Sequence, residues 1–448
     1  MKSSKPMDRR TYLKGAGVAI AALGGCSAPS DGGRTDATTS RGDDGASPSP
    51  SATESTDAPE QTASESESEP AAAAAEAYPW FTERGSVVAD FSSFDADWTV
   101  GAGHADSVSE GFLGGGAVKM GTGDGSRARI DRRFAEPRDF SDRDFSLAVN
   151  LRSTTAEMFR VEVVLQDVSG NLRYHSNAIL PSATDTWIHF DMAFDREEGA
   201  FDPTAVSELW IHQWTGEGSS EFLVDDLRTL PKPDTGAVLF TFDDAGAGEH
   251  EYALPVLSEY DFAGVAFPPS SYVAETSEPS IGDYQEMSAA GWDIGGHTPS
   301  HQRLSEFSAA EQRRIFERNV EELRSMGLVD DDDPLHFRTP YGNYDTSTLE
   351  VVLETFDDCI AGAGTAAGTS FNLTDRRMIS FRSGETLSGT KQLVDAAAAQ
   401  RQLLGLTFHT KNIDRDYLET VVDYVDQYVQ QGDLRVLTMS EYYEEAFR

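Results

Sequence analysis

Positive charge is scarce in this chain. Its 448 residues include 7 Lys and 29 Arg against 76 acidic residues, for a formal net charge of −40. Such a surface repels another polyanion, so nucleic acid is excluded as a partner. Cysteine is scarcer still. Cys26 and Cys359 are the whole complement, and two residues build no disulfide framework. Cys359, in the apolar stretch Cys-Ile-Ala-Gly, reads as a small buried hydrophobe.

The deficit of positive charge is not confined to a tail. Residues 1–26 carry +4 and residues 27–77 carry −9, which leaves −35 on the remaining 371. A folded body this acidic reads as adaptation to high salt, where screening removes the self-repulsion. The source is accordingly expected to be halophilic and archaeal.

The first residues read as an address. Asp8-Arg9-Arg10-Thr11-Tyr12-Leu13-Lys14 has the twin-arginine pattern of an export signal. The weakly apolar segment Gly15 to Gly25 is too short to span a bilayer as a structural helix. It ends Leu23-Gly24-Gly25-Cys26, the form of a lipoprotein cleavage box, which makes Cys26 the expected lipidation site. Residues 1–26 are therefore read as a twin-arginine lipoprotein signal. The mature protein is expected outside the cell or lipid-anchored on the outer face of its membrane. Residues 27–77 are rich in Ser, Thr, Ala, Asp, Glu, Gly and Pro, with almost no large apolar side chain. They cannot bury enough surface to offset the entropy of ordering, and read as a disordered acidic tether.

Residues 78–232 read as all-β. Short alternating runs recur at Gly85–Phe91, Phe145–Leu151, Phe159–Leu165, Trp187–Met192, Glu208–Gln213 and Glu221–Leu227, separated by Gly, Asp and Ser clusters. This pattern suggests a β-sandwich, and it resembles the jelly-roll sandwiches of carbohydrate-binding modules. Aromatic faces stack on sugar rings, so Trp214 and His212 are candidates for glycan contact. Trp187 and Trp210 lie on alternating strands and are expected in the core. Asp225 is a candidate for a structural Ca²⁺ site.

Pro231-Lys232-Pro233-Asp234 is a stiff hinge. From about Gly236 to residue 448, strands and helices alternate. Strands are expected at Ala237–Phe242, Gly264–Phe267, Trp292–Gly296, Leu335–Arg338, Cys359–Gly362, Met378–Phe381, Leu403–Phe408 and Leu434–Thr438. Helices are expected over Glu249–Glu259, Asp283–Ala290 and from Ser308 to about Met326, the last opened by the capping box Ser308-Ala309-Ala310-Glu311. Such alternation gives parallel strands in an α/β fold. Roughly seven or eight strands in about 210 residues favour a distorted (β/α) barrel, whose chemistry gathers at the carboxyl ends of its strands.

Four strings fall at such ends: Thr241-Phe242-Asp243-Asp244, His297-Thr298-Pro299-Ser300-His301, Arg338-Thr339-Pro340-Tyr341-Gly342 and Leu406-Thr407-Phe408-His409. His297 and His301 are four apart, so on one helical turn, or on a loop entering a helix, both imidazoles can face one point. With Asp244 they would make a His₂Asp set with an open position, suited to Zn²⁺ or a similar divalent ion. Asp243 is the candidate general base, Arg338 its orienter, the Tyr341 backbone N–H an oxyanion donor and His409 the acid. Taken singly each has a plainer reading: an Asx turn for Asp243-Asp244, a structural arginine, a plain turn, and a buried, satisfied histidine.

In this order the strings resemble the motifs of the polysaccharide deacetylases (carbohydrate esterase family 4, the NodB homology domain). The resemblance covers residues 236–448. It implies a distorted (β/α) barrel that removes N-acetyl, or O-acetyl, groups from a polysaccharide. It also implies Asp243 as base, Asp244, His297 and His301 as metal ligands, Arg338 as orienter, Tyr341 as oxyanion donor and His409 as acid. The implied cofactor is a divalent metal, Zn²⁺ first, with Co²⁺, Ni²⁺ or Mn²⁺ as alternatives. The implied partner is an acetylated polysaccharide of the cell surface or its surroundings. Two departures stand out. Ala245-Gly246 replaces the Gly-Pro that usually follows the Asp pair, and no Trp occurs after Trp292. The fourth family motif, which brings a carboxylate to the acid histidine, is therefore not placed; Asp375 and Glu385 are its candidates. Two other readings stay open: a catalytically silent glycan-binding surface lipoprotein, and a hydrolase of another non-peptide amide or ester bond. The oligomeric state is not legible.

Overall fold

The computed structural model describes residues 84–447, apart from 124, 217, 276–278 and 364–367. The export signal, Cys26 and the tether lie outside the described residues. All described residues belong to one unit of the chain, Ser68–Arg448.

The first part is an antiparallel β-sandwich. Its strands are β1 (Ser86–Ala89), β2 (Thr99–Ala102), β3 (His104–Val108), β4 (Ala117–Gly121), β5 (Arg127–Arg138) and β6 (Arg143–Thr154). They continue with β7 (Phe159–Asp167), β8 (Leu172–Ile179), β9 (Trp187–Glu198), β10 (Val206–Trp214) and β11 (Ser220–Pro231). The order is β2-β5-β10-β7-β8-β9-β6-β11-β4-β3, with β1 also on β11. β9 belongs to both layers: Trp187–Met192 pairs with β6, and Ala193–Glu198 pairs with β8.

Strand β6 shows why the chain folds this way. Phe145, Leu147, Val149 and Leu151 alternate into the sandwich core and are fully buried. The opposite face, Asp144, Ser146, Ala148 and Asn150, is buried as well, because a segment of the second part lies on it. Ser370 and Lys232 bind Asp144, Thr374 binds His189 and Asp191, and Asp375 accepts the His189 N–H. Arg377 grips Asp375 through two nitrogens, at 2.9 and 2.6 Å, and donates to the Trp187 carbonyl at 2.7 Å. Both side chains of this pair are buried. Removing one partner strands a buried charge, so Arg377→Ala is expected to lower stability by about 3 kcal/mol or more. Chemical denaturation of the two proteins measures the difference.

The second part is a nearly closed barrel of parallel strands: β12 (Gly236–Asp243), β13 (Val265–Phe267), β14 (Asp293–Ile294), β15 (His336–Arg338), β16 (Asp358–Ile360), β17 (Gly362–Ala363), β18 (Ser380–Ser383) and β19 (Leu403–Phe408). Pairing runs β14-β13-β12-β19-β18-β17, β15 pairs with β16, and a bridge from Gly296 to Phe337 joins the end of β14 to β15. A short β20 (Leu434–Val436) adds beside the start of β12. β12 is buried along its whole length, as a central parallel strand must be.

Helices pack outside. The stretch expected as one helix after β12 is a wide π turn, Glu249–Ala253, followed by α1 (Leu254–Ser258). α2 (Ile281–Ala289) and α3 (Ala309–Ser325) follow. At the start of α3 the Glu311 carboxylate accepts from the Ser308 N–H at 2.9 Å and its hydroxyl at 2.7 Å, as the capping box requires. Gln312, Phe316, Val320 and Leu323 form the buried stripe of α3. α4 (Leu387–Gln400) and α5 (Arg415–Gln431) flank β19 and β20. Cys359 is buried and free, as expected of a small hydrophobe.

Candidate active site

The four strings converge at the carboxyl ends of β12, β14, β15 and β19. Asp243 is the last residue of β12, and the chain then turns through Asp244 (φ 76°) and Ala245 (φ 55°). Adjacent carboxylates would point to opposite sides of a continuing strand; the turn instead gives them different partners around one site. Asp243 Oδ2 accepts from Arg338 Nε at 2.5 Å, while its Oδ1 is buried and makes no hydrogen bond. Arg338 in turn stacks over Phe381, 5.8 Å from the ring centroid. Gly405 makes room for that ring: a Cβ there would stand 2.1 Å from it.

His297 and His301 sit on a loop, not on a helical turn, and His301 has φ 55°. The loop is pinned to β15, since the Gly296 N–H donates to the His336 carbonyl at 2.8 Å and the Arg338 N–H to the Gly296 carbonyl at 2.9 Å. His297 Nδ1 lies 2.8 Å from the Arg338 carbonyl. A carbonyl only accepts, so Nδ1 carries the proton and Nε2 presents its lone pair to the site. Asp244 Oδ1 stands 2.9 Å from His301 Nε2 and 3.6 Å from His297 Nε2. It is buried and has no hydrogen-bond partner. One ligand atom from each of Asp244, His297 and His301 lies within 4.8 Å of the other two. Three ligand atoms close around one small space, with a buried oxygen left unbonded, fit a divalent cation. Burial alone would raise the Asp244 pKa, but His297, His301 and Lys411 hold it well below the usual carboxylate range.

His409 follows β19. Its Nδ1 is 2.6 Å from Glu385 Oε1, which also accepts the His409 N–H at 3.0 Å; Asn412 donates to the other oxygen at 3.0 Å. The Glu385 hydrogen bond raises the His409 pKa above its ordinary value. His409 Nε2 faces Asp244 Oδ2 at 3.8 Å, and Lys411 Nζ reaches the same oxygen at 2.7 Å. Tyr341 has φ 58° and an exposed ring lying 4.3 Å from that of His301. Of the two carboxylate candidates, Glu385 is therefore at the site, and Asp375 is in the contact with the sandwich.

Two features carried no sequence signal. Glu249, fully buried, accepts from the Gly246 N–H and from the Tyr284 hydroxyl, each at 2.8 Å. It braces the loop after Asp244, and burial pushes its pKa up to about 8. The second feature is strain. Five of the ten described non-glycine residues with positive φ are Asp244, Ala245, Thr298, His301 and Tyr341. Such residues cost about 1 kcal/mol or more each and persist where the surroundings dictate them.

On the sandwich, Trp214 is exposed and His212 Nδ1 meets Glu162 Oε2 at 2.8 Å. Trp187 is buried, but against Phe112, Ala148 and Leu223 on the layer facing the barrel segment. Trp210 is not in the core. It alternates outward from Leu209 and Ile211, and Arg129 covers its ring at 3.4 Å. The Asp225 carboxylate accepts the Phe112 and Asp226 N–H groups, each at 2.7 Å, so both its oxygens are engaged by backbone.

Residues 231–360 match the profile of the polysaccharide deacetylase family. No curated protein matches the chain significantly. Among solved structures, the chain is similar to a family 4 carbohydrate esterase from Streptomyces lividans in complex with acetate (16% identity over 46% of this chain and 94% of that one, TM-score 0.34). It is similar to the chitin deacetylase of the fungal pathogen Colletotrichum lindemuthianum (14% identity, 47% and 88%, TM-score 0.34). It is also similar to the family 11 carbohydrate-binding module of a cellulosomal cellulase of Clostridium thermocellum (13% identity, 34% and 96%, TM-score 0.26). The chain therefore carries a polysaccharide deacetylase domain, a hydrolase domain, over the part of the barrel that holds Asp243, Asp244, His297, His301, Arg338 and Tyr341.

Proposed function

We propose that the protein hydrolyses acetyl groups, N-acetyl first and O-acetyl as the alternative, from a polysaccharide of the cell surface or its surroundings, in a metal-dependent reaction. The observation that carries this reading is the meeting of Asp244, His297 and His301 around one space, with the unbonded Asp243 Oδ1 and His409 beside it. Asp244, His297 and His301 would hold a divalent cation, Zn²⁺ first, with Co²⁺, Ni²⁺ or Mn²⁺ as alternatives. When bound, that ion would supply Lewis acidity and acidify water.

The chain's own groups do the rest. Asp243, aimed by Arg338, takes the proton of the attacking water at Oδ1. The Tyr341 N–H, at a residue held at positive φ, donates to the oxyanion of the tetrahedral intermediate. His409 gives its Nε2 proton to the leaving amine or alkoxide as the C–N or C–O bond breaks. Glu385 fixes its ring and keeps it protonated to higher pH. Glu385→Gln removes the main cause of the raised His409 pKa. The alkaline limb of the pH–rate profile is therefore expected to move to lower pH and kcat to fall, with the acidic limb unmoved. A profile whose alkaline limb stays in place excludes this role.

The twin-arginine pattern and the segment ending at Cys26 support a reading in which this chemistry lies outside the cell, after export and lipidation at Cys26. Cys26→Ser is expected to release the protein from the membrane fraction into the medium. The test of the function is acetate release from a panel of N- and O-acetylated glycans by the full-length protein in molar salt. Release from at least one glycan is expected. A folded, metal-loaded protein that releases none would be a silent glycan binder or would act on another amide or ester.

A further inference from the structure

The outer face of the second sandwich layer carries a row of aromatic and charged side chains. On β10, Leu209, Ile211 and Gln213 point into the core, and Trp210, His212 and Trp214 point out. His212 lies opposite Arg129 on β5 and Glu162 on β7. Trp214 lies opposite Arg127, and the register that pairs Gln213 with Val161 sets it beside Arg160 on the other side. Arg160 faces Ala178 on β8. One row across the face is thus Arg127, Trp214, Arg160 and Ala178. Exposure falls along it: Trp214 is 58% exposed, Arg160 half-buried and Ala178 6% exposed. The row is buried at its Ala178 end.

Two contacts fix where it arrives. Just past β8, the Leu180 N–H donates to the Tyr344 hydroxyl at 3.1 Å, and the Ser182 hydroxyl to the Tyr344 carbonyl at 2.7 Å. Tyr344 is three residues beyond Tyr341. That edge of the sheet therefore borders the Tyr341 rim. Trp214 and Ala178 are separated by two strand spacings, about 10 Å.

The chemistry of the face suits an uncharged glycan. Around Arg160 and His212 the charged groups are mutually paired: Glu162 with Arg160, Arg196 and His212, and Asp195 with Arg160 and Arg196. Paired guanidinium and carboxylate groups retain spare donors and acceptors for hydroxyls without demanding a counter-charge. Trp214 adds an open aromatic face.

We propose that this face and the barrel mouth form one continuous groove for a single acetylated polysaccharide chain, with Arg160, His212 and Trp214 as distal subsites. The sandwich then positions the polymer on the catalytic groups and is no mere spacer. This rests on the deacetylase reading above. The test compares acetate release by the full-length protein from chitin-derived N-acetylated polymer and from its trimer. Trp214→Ala is expected to lower kcat/KM on the polymer about tenfold more than on the trimer. The control Val168→Ser, at the exposed β7–β8 turn, changes neither. In the Asp243→Asn background, where the polymer survives, Trp214→Ala is expected to weaken polymer binding about tenfold by calorimetry. Equal effects on trimer and polymer, or unchanged binding, would overturn the groove. Wild-type protein that releases acetate from neither substrate nor any other glycan would instead overturn the deacetylase reading.

Discussion

Replacing Asp243 with Asn is expected to lower acetate release by about 10³-fold while leaving metal content and the folded state in place. The side chain is nearly isosteric, and its oxygen can still accept from Arg338 Nε, which now donates at 2.5 Å. What disappears is basicity at the one carboxylate oxygen of the site that is buried, unbonded and outside the ligand set. The loss should appear in kcat with KM little changed, since the interaction is made only as the water loses its proton. Single-turnover assays on metal-loaded protein read this directly. Undiminished kcat would remove Asp243 from the proton-transfer role.

Asp244→Asn should be as severe for a different reason. Asp244 is in the left-handed region, where Asn is among the few residues tolerated, so the backbone can keep its course. The amide is a much poorer ligand than a carboxylate for a divalent ion, and the site would lose charge as well as affinity. Activity is expected to fall by about 10³-fold, the equivalent of several kcal/mol of lost Lewis-acid assistance. Unlike Asp243→Asn, this variant should also bind less metal, by elemental analysis of dialysed protein. The contrast between the two neighbours, one losing rate alone and the other losing metal, separates base from ligand.

Much of this site is legible in the sequence because each string ends a buried run. β12 is apolar up to Thr241-Phe242 and then breaks into Asp243-Asp244, and β19 runs Leu403–Phe408 before His409. In a parallel barrel those breaks fall on one rim. The supporting groups are less legible. Glu385 reaches His409 across 24 residues and Glu249 braces its loop through a π turn, and neither lies in a spacing that chemistry alone dictates. Strain at Thr298 and His301 is invisible for the same reason: the tertiary contacts impose it.

The sandwich shows the opposite difficulty. β5 and β8 are hard to read as strands because their outward positions carry Arg129, Asp131, Arg173 and similar residues, whose charges are satisfied by a pair along β5 and by one from β8 to Glu197 on β9. Asp144, His189 and Asp191 stand where a solvent face would, yet they are buried, because Thr374, Asp375 and Lys232 hydrogen-bond to them. A polar alternation tells which residues face away from one core. It does not tell that a second domain will cover them.

Metal dependence of acetate release is the most direct test of the reading as a metal-dependent deacetylase. The full-length protein, stripped with EDTA and confirmed metal-free by elemental analysis, is assayed on the glycan that the panel identifies, then titrated with Zn²⁺ and, separately, Co²⁺. Release should vanish on stripping and return in proportion to added metal, reaching its plateau at one equivalent per chain. Full activity in the stripped protein, or a site that takes up one equivalent without any return of acetate release, would contradict it.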